Sequence, residues 1–186
     1  IEHVVIPNNV WSIKKFAFRD CVHLKSVTIG SYLVETCAFS GCQRLADITL
    51  SEQVENIHTG AFTGTAWENA QPDGMMYLAH ILYDYKGKAK RDTALVVRDG
   101  TQYISANAIY DNHIVSITLP SSLKSLPMNC VRSERLSAVY MQSPTPVSMG
   151  YKAFASAQLN SVTLFVPCGA VKAYDRAPGW DFEHIV

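Results

Sequence analysis

The sequence carries little charge and contains no long apolar run. Only 17% of its 186 residues are charged, and 16 basic residues balance 16 acidic ones. A chain without net charge lacks the basic footprint of nucleic-acid-binding proteins, so we expect no nucleic-acid partner. No apolar run reaches the roughly 18–20 residues of a membrane span, so we expect no membrane insertion by this chain. The hydrophobic share of 48% argues against disorder and is enough for a buried core.

The motifs of common catalytic and cofactor sites are also missing. There is no G-x-S-x-G elbow, no G-x-x-x-x-G-K-[ST] loop and no G-x-G-x-x-G fingerprint. The six histidines include no H-E-x-x-H pair, and the five cysteines include no C-x-x-C pair, so a zinc site is not indicated. We therefore predict that the chain is not an enzyme, with no catalytic residues, no cofactor and no metal.

What the sequence does contain is an internal repeat. The frame L-x-x-I-x-I-P-x-x-V-x-x-I-x-x-x-A-F-x-x-C recurs, mostly at intervals of 21–23 residues. One repeat cannot bury its own apolar face, whereas stacked repeats can, so the pattern predicts a mostly β repeat solenoid. The repeats, the last of them a half-repeat, begin at Ile1, Leu24, Leu45, Asp92, Ile114, Leu136 and Leu159.

Each repeat begins with the alternating pattern of a short strand. In residues 24–29, Leu24, Val27 and Ile29 are predicted to point inward and the polar residues between them outward. Stacking the repeats joins these strands into a parallel sheet on one face. Later in the frame, an Ala-Phe pair is predicted to insert a large ring into the core, at Phe18, Phe39, Phe62 and Phe154.

One interval is about twice as long as the others, which predicts an insertion at about residues 66–91. Turn signals at residues 72–74 and 86–88 flank the apolar run MMYLAHILYDY. We interpret this segment as two short strands in a hairpin-like insertion, although the run is also compatible with a short helix. Insertions in solenoids often serve binding, and covering one side of the core is the alternative role.

The last residues, 168–186, predict a C-terminal helical cap. A short helix is expected at residues 169–176, and Trp180, Phe182 and Ile185 supply apolar anchors. The expected organisation is therefore one domain over residues 1–186, with repeats at 1–65 and 92–167. No comparable cap precedes Ile1, so we expect either a longer natural chain or an unusually exposed first repeat.

The frame resembles the BspA-like leucine-rich repeat family of bacterial surface proteins, in the form found in Bacteroides-type bacteria. The insertion and the ending LFVPCGAVKAYDRAPGWDFEHIV are also similar to such members. Ala108-Ile109 and Cys130-Val131 depart from the Ala-Phe pattern. The residues that carry the resemblance are Ile6-Pro7, Ala17-Phe18, Cys21, Ala38-Phe39, Cys42 and Ala61-Phe62.

This resemblance implies a leucine-rich-repeat right-handed coil and an extracytoplasmic location, at the cell surface or secreted. It also implies adhesion to host matrix proteins or to other cell-surface proteins, without a shared catalytic site. Cys21 and Cys42 share a frame position in adjacent repeats, so a disulfide is geometrically conceivable. We favour two buried thiols, because side chains on stacked strands point in parallel directions.

The outward column of the predicted strand face is the first candidate contact surface. It is small, hydroxylated and nearly uncharged, which suits an extended protein partner or simply a solvated sheet. Tyr140 stands out because a large exposed aromatic makes a good anchor, and Phe165 either joins it or belongs to the cap. The candidate residues on this face are Thr28, Thr49, Thr118, Tyr140 and Thr163, in one column with Val5 and Val96.

The insertion is the second candidate surface. Tyr77, Tyr83 and Tyr85 are predicted to form a sugar-stacking or protein-binding platform, although tyrosines are also ordinary strand residues. Lys86 and Lys88 begin a basic run at the predicted hairpin tip that suits an acidic partner or a sulfated glycan, and a solvated tip is the alternative.

These features give three hypotheses for the function. The first is a non-catalytic protein-binding or adhesion module that uses the strand face and the insertion. The second is a glycan-binding module that uses the insertion tyrosines and the basic tip. The third is a structural spacer of a larger surface protein, favoured by the missing cap before Ile1.

Overall fold

The computed structural model describes residues 1–155 and 159–186. It consists of two compact units, unit 1 (Ile1–Lys86) and unit 2 (Gly87–Val186). The end of the repeat that begins at Leu136, residues 156–158, lies outside the described residues. Within the described ranges, no helix is long and apolar enough to cross a bilayer.

Unit 1 contains short strands and one short helix. The strands β1, β3 and β5 form one parallel sheet, and β2, β4 and β6 form a second. In chain order the elements are β1 (His3–Ile6), β2 (Ser12–Ile13), β3 (Ser26–Ile29), β4 (Leu33–Val34), β5 (Asp47–Leu50), β6 (Asn56–Ile57), α1 (Ala66–Ala70), β7 (Gly74–Leu78) and β8 (Ile81–Lys86).

The core of unit 1 follows the repeat frame. Leu24, Val27 and Ile29 are buried, as their alternation predicts. The rings of Phe18 and Phe39 stack with centroids 5.1 Å apart, and those of Phe39 and Phe62 with centroids 5.4 Å apart. Successive coils thus fill the core with one continuous ladder of phenylalanine rings.

Left-handed backbone positions recur in every coil of this unit. Phe16, Cys37 and Gly60 occupy equivalent positions and have φ values of 66°, 58° and 79°. The thiol of Cys42 donates to the carbonyl of Phe18 at 3.0 Å, and all five cysteines of the chain are free. Of the two thiols predicted to be buried and unbridged, Cys42 is buried, whereas Cys21 is half-buried.

The apolar run of the insertion forms strands, as predicted, and not the short helix that was its alternative. Helix α1 comes first, and the apolar run then forms the antiparallel hairpin β7–β8, which turns at Ala79 and His80. The Thr65 hydroxyl accepts the N–H of Glu68 at 3.1 Å, which caps the helix N-terminus. The hairpin-like insertion is confirmed, and its turn lies well before the basic run.

Unit 2 repeats the same coil. Its main sheet is parallel and runs in the order β19-β18-β15-β12-β9. The strands β11, β14 and β17 form a second sheet, and β13 pairs with β16. In chain order the elements are β9 (Thr93–Val96), β10 (Tyr103–Ile104), β11 (Ile109–Tyr110), β12 (Ile114–Leu119), β13 (Ser125–Leu126), β14 (Val131–Arg132), β15 (Ala138–Met141), β16 (Ser148–Met149), β17 (Phe154–Ala155), the 3-10 helix η1 (Leu159–Ser161), β18 (Thr163–Phe165), α2 (Val171–Asp175) and β19 (His184–Ile185).

The C-terminal cap is confirmed, with a helix shorter than expected and one additional strand. The Tyr174 hydroxyl donates to the carbonyl of Ser143 at 2.9 Å, and the Trp180 indole N–H donates to the carbonyl of Val147 at 3.0 Å. Strand β19 extends the main sheet beside β18. This two-residue strand is too short to show an alternating pattern, so the sequence did not indicate it. The leucine-rich-repeat solenoid is confirmed as the fold class.

Candidate functional site

The main sheet of unit 2 presents an outward column whose members lie on adjacent strands. Thr118 of β12 pairs in register with Val96 of β9 on one side and with Tyr140 of β15 on the other. Tyr140 in turn pairs with Phe165 of β18. Parallel pairing of β15 with β18 therefore brings two aromatic residues together in this column.

The predicted position of Thr163 in this column is wrong. Thr163 pairs with Ala138, in the neighbouring column, and Phe165 takes the place beside Tyr140. The half-repeat begins with the 3-10 helix η1 instead of extended chain, so its strand starts two residues later than the frame indicates. A 3-10 helix advances less per residue than a strand, which accounts for the shift.

Tyr140 and Phe165 form a stacked pair on this face. Their ring centroids lie 4.6 Å apart with an interplanar angle of 10°, and Tyr140 is 40% exposed. Each ring restricts the other, so the pair is an ordered apolar surface before any partner binds. An open hollow beside it is lined by Thr118, Met141, Gln142, Val166 and Pro167 together with the two rings.

The lining of this hollow contains no charged side chain among the described residues. Small side chains occupy the adjacent column, where Ser116 pairs with Ala138. The arrangement is that of an aromatic anchor surrounded by a flat, neutral surface. It offers apolar contact and hydroxyl hydrogen bonds, the two contributions that protein interfaces combine at their centres.

Unit 1 presents a plainer strand face. Thr28 pairs in register with Val5 and with Thr49, and all three side chains are exposed. In the neighbouring column, the His3 ring bonds to the Ser26 hydroxyl with 2.7 Å between Nδ1 and Oγ. Thr28 and Thr49 therefore lie at the predicted surface positions, without an aromatic ring in their own column of the described strands.

The predicted tyrosine platform is wrong for Tyr83. Its side chain is 0% exposed, and its hydroxyl oxygen accepts the backbone N–H of Phe62 at 3.1 Å. The ring meets those of Phe62 and Trp67 edge to face and covers the end of the phenylalanine ladder. Burial raises the pKa of this phenol, which stays protonated. Tyr83 belongs to the core and cannot stack on a sugar.

The side chains of the other two insertion tyrosines are only partly exposed. Tyr77 and Tyr85 are each half-buried, and the Tyr77 hydroxyl donates to the sulfur of Met75 at 3.4 Å. With Tyr83 withdrawn into the core, the three tyrosines do not form one platform. A period-two pattern alone could not show this, because Ile81, Leu82 and Tyr83 are buried in succession.

The basic run does not lie at a hairpin tip. The Lys86 ammonium group donates to the carbonyls of Glu68 at 3.0 Å, Asn69 at 3.2 Å and Gln71 at 2.7 Å. These carbonyls belong to the end of α1, where a positive charge is favourable. The prediction of Lys86 as a ligand contact is therefore wrong. Lys88 is exposed, as predicted.

Sequence reasoning missed an aromatic pair in unit 1. Trp11 and Tyr32 precede β2 and β4, so they occupy the same position in adjacent coils. Their rings stack with centroids 4.5 Å apart and an interplanar angle of 14°. Together with Asn8, Gln53 and Glu55 they line a second hollow. The shared frame position was visible in the sequence and could have identified the pair.

The repeats match a known family description. The chain matches the BspA type leucine-rich repeat region, in six copies, over residues 1–74 and 91–174. The chain belongs to the BspA type leucine-rich repeat family. None of the curated proteins compared with it matches significantly.

Several solved structures of bacterial leucine-rich repeat proteins are similar to this chain. The Treponema pallidum protein TpLRR is 20% identical, with 80% of this chain and 73% of that one covered and a TM-score of 0.40. The pneumococcal vaccine antigen PcpA is 15% identical over 92% of this chain and 38% of that one, with a TM-score of 0.38. A leucine-rich cell surface protein from Faecalibacterium prausnitzii is 16% identical over 89% and 60%, with a TM-score of 0.26. The chain therefore spans well under half the length of PcpA.

Proposed function

We propose that this chain is a non-catalytic protein-binding module of a cell-surface or secreted bacterial protein. The partner contacts the strand face of unit 2, centred on the stacked pair of Tyr140 and Phe165. The partner class is a host matrix protein or another cell-surface protein, and the biological role is adhesion. Membership in a family of bacterial leucine-rich repeat surface proteins supports this proposal.

The single observation that carries the proposal is the ordered aromatic pair on an exposed, neutral sheet. Interfaces concentrate their binding free energy in a few aromatic residues at the centre of a flat contact area. The two rings are already stacked at 4.6 Å, so binding does not have to order them. Pre-organisation of this kind lowers the entropic cost of association.

The absence of charge in the lining of the hollow predicts the character of the complex. The free energy of binding comes from apolar burial and hydroxyl contacts, which salt screens little. We therefore expect an affinity that is nearly constant between low and moderate ionic strength. An acidic or sulfated partner would instead bind through exposed lysines and would dissociate as salt is added.

The experiment is a binding screen of the immobilised chain against purified extracellular-matrix proteins, followed by two variants. Tyr140→Thr places at this position the residue found at Thr118, so the strand is retained while the anchor is lost. Loss of a central aromatic anchor weakens binding by about tenfold or more. Tyr151→Ala, which removes a 73% exposed aromatic outside this sheet, is the matched control and should bind normally.

Two outcomes contradict the proposal. If a confirmed complex tolerates Tyr140→Thr and Phe165→Ala without loss of affinity, the partner contacts another surface. If no matrix or cell-surface protein binds at micromolar concentrations, the role of a structural spacer replaces that of a binding module.

A further inference from the structure

The hollow in unit 1 is built from three successive coils and has a different character from the strand face of unit 2. Trp11, Tyr32 and Glu55 occupy equivalent positions, one in each coil, just before β2, β4 and β6. The backbone N–H of Leu33 donates to the carbonyl of Trp11 at 3.1 Å, and that of Glu55 donates to the carbonyl of Tyr32 at 3.2 Å. Inter-coil hydrogen bonds therefore set the spacing of these three side chains.

The aromatic part of the hollow is held in place from one side. Tyr32 covers one face of the Trp11 indole, and Trp11 is nevertheless 68% exposed, so its other face and its edge are open. The pKa of the Tyr32 phenol is raised by its interaction with the Glu55 side chain, and further by partial burial and by the negative charge of Glu55. The stacked indole and the Glu55 carboxylate therefore line the same hollow.

The polar part of the hollow is also ordered. The Gln53 side-chain amide donates to the carbonyl of Asn8 at 2.8 Å and to the carbonyl of Gly30. These bonds attach the third coil to the loop that follows β1 and to the residue that follows β3. Asn8 and Asn9 sit at the edge of the hollow. The wall therefore does not need to be assembled when a ligand arrives.

We propose that this hollow binds a neutral sugar residue of a glycan. An open aromatic face suits the apolar C–H face of a pyranose ring, and neighbouring amide and carboxylate groups suit its hydroxyls. The lining residues of the hollow, all of them described, include the carboxylate of Glu55 and no positive charge. Sulfated and sialylated sugars are therefore disfavoured. This site is independent of the protein-binding surface on unit 2.

The sugar site differs from the glycan site that the sequence suggested. That prediction used the insertion tyrosines and a basic tip, and therefore an anionic glycan. In the structure Tyr83 is buried and the Lys86 ammonium group is bonded to the end of α1, whereas an aromatic pair and an acid line the hollow in unit 1. The ligand class changes with the charge of the site, from sulfated to neutral.

Titration of the intact 186-residue chain with neutral oligosaccharides of glucose, mannose or galactose tests the proposal. Tryptophan fluorescence is a direct readout, because Trp11 is the most exposed tryptophan while Trp180 is buried. We expect a saturable spectral shift with at least one neutral sugar, with a Kd below about 1 mM. Addition of about 0.5 M NaCl should leave this Kd unchanged, since no ion pair is involved.

Variants separate the roles of the residues, with binding measured by calorimetry so that the readout does not depend on tryptophan. Trp11→Ala should abolish measurable binding, and Trp11→Phe should retain a weakened site. Glu55→Gln keeps an acceptor and a similar shape, so we expect a loss of roughly threefold to tenfold, typical of one hydrogen bond to a charged group. Tyr110→Ala, an exposed aromatic of unit 2, is the control and should bind like the parent chain.

Three results overturn the proposal. One is the absence of saturation with every neutral sugar at about 10 mM, ten times the expected limit of Kd. Another is binding of heparin in place of neutral sugars, with loss of affinity as salt rises. The third is selective binding of a proline-rich peptide, which also uses aromatic grooves. None of these results bears on Tyr140 and Phe165, so the two sites fail or succeed separately.

Discussion

Unit 1 and unit 2 place different side chains at the same position of the repeat frame. Unit 1 has phenylalanine after alanine in each coil, and these segments are turns whose rings stack at 5.1–5.4 Å. Unit 2 has shorter, β-branched residues in two of its coils, and these positions form strands of a parallel sheet. The residues of unit 2 at this position are Ile109, Val131 and Phe154.

The hydrogen bonds between coils are nevertheless the same in both units. The N–H of Phe39 donates to the carbonyl of Ala61 at 2.8 Å, and the N–H of Val131 donates to the carbonyl of Ala153 at 3.0 Å. Backbone stacking therefore does not require an aromatic ring. The side chain decides how the core beside the backbone is filled, and β-branched residues additionally favour the extended conformation.

The largest expected effect comes from breaking the phenylalanine ladder. Phe39 is completely buried between two other rings, so Phe39→Ala should lower the free energy of unfolding by about 3–5 kcal/mol. Val131→Ala removes a smaller buried side chain and should cost about 2 kcal/mol. Urea unfolding gives the total effect, and native-state hydrogen exchange locates it in one unit.

Equal losses in the free energy of unfolding for Phe39→Ala and Val131→Ala would contradict the view that unit 1 depends more strongly on its large rings than unit 2 depends on its smaller side chains. Loss of protection in unit 2 after Phe39→Ala would show that the units do not unfold separately. Phe39→Leu, which keeps most of the apolar volume, is the conservative control and should cost less than Phe39→Ala.

A smaller effect distinguishes Lys86, the last residue of β8, from Lys88, two residues later in the sequence. Lys86→Met keeps the apolar stem but removes three hydrogen bonds to the end of α1, and should cost about 1–2 kcal/mol. Lys88→Met changes an exposed side chain and should stay within about 0.5 kcal/mol of the parent. Thermal unfolding of both variants checks this difference. Similar midpoints would mean that the helix-end contacts of Lys86 contribute little.

The smallest effect concerns two carboxylates whose pKa values shift in opposite directions. In unit 1, burial raises the pKa of Asp84 to about 6, with a further contribution from Glu68. In unit 2, burial also acts to raise the pKa of Asp111, but N–H donors at His113 and Ala89 outweigh it and lower the pKa. Asp84 and Asp111 therefore give the two units contributions to stability with opposite pH dependence.

The sign of each effect follows from proton linkage. The folded form of Asp84 binds its proton more tightly than the unfolded chain, whose pKa is about 3.9, so native stability falls as pH rises from about 4 to about 6. Asp84→Asn should remove this loss and flatten the dependence between pH 7 and pH 5. Asp111 stabilises the native state above the unfolded pKa, and this contribution disappears as pH falls through its lowered folded pKa.

Unfolding midpoints of the parent, Asp84→Asn and Asp111→Asn measured across this range provide the test. A parent chain whose stability does not rise relative to Asp84→Asn on acidification from pH 7 to pH 5 would contradict a raised pKa of the half-buried Asp84. The Asp111→Asn curve should diverge from the parent only at lower pH.

Much of the fold could be predicted from the repeat frame. Alternation at Leu24, Val27 and Ile29 identified the buried side of a strand, and the long interval identified the insertion. These features are periodic and local, so the same sequence pattern recurs in each coil. The absence of a bridge between Cys21 and Cys42 was predicted for a similar reason, since stacked coils orient equivalent side chains alike.

The candidate sites were predicted less completely. The frame placed Tyr140 on the outward face, but it could not show that Phe165 pairs with it, because a 3-10 helix shifts the register of the last strand. The surface roles of Tyr83 and Lys86 failed because each has a partner from another part of unit 1. Trp11 and Tyr32 were overlooked although they share a frame position.

The sequence by itself determined the repeat, its family, the strand faces and the terminal cap, because periodic burial of apolar residues is a local and additive requirement. The tertiary structure alone decided which aromatic residues meet, which tyrosine closes the ladder and which lysine donates hydrogen bonds to a helix end. Those outcomes depend on contacts between coils and on a single change of register, and a one-dimensional pattern does not encode either of them.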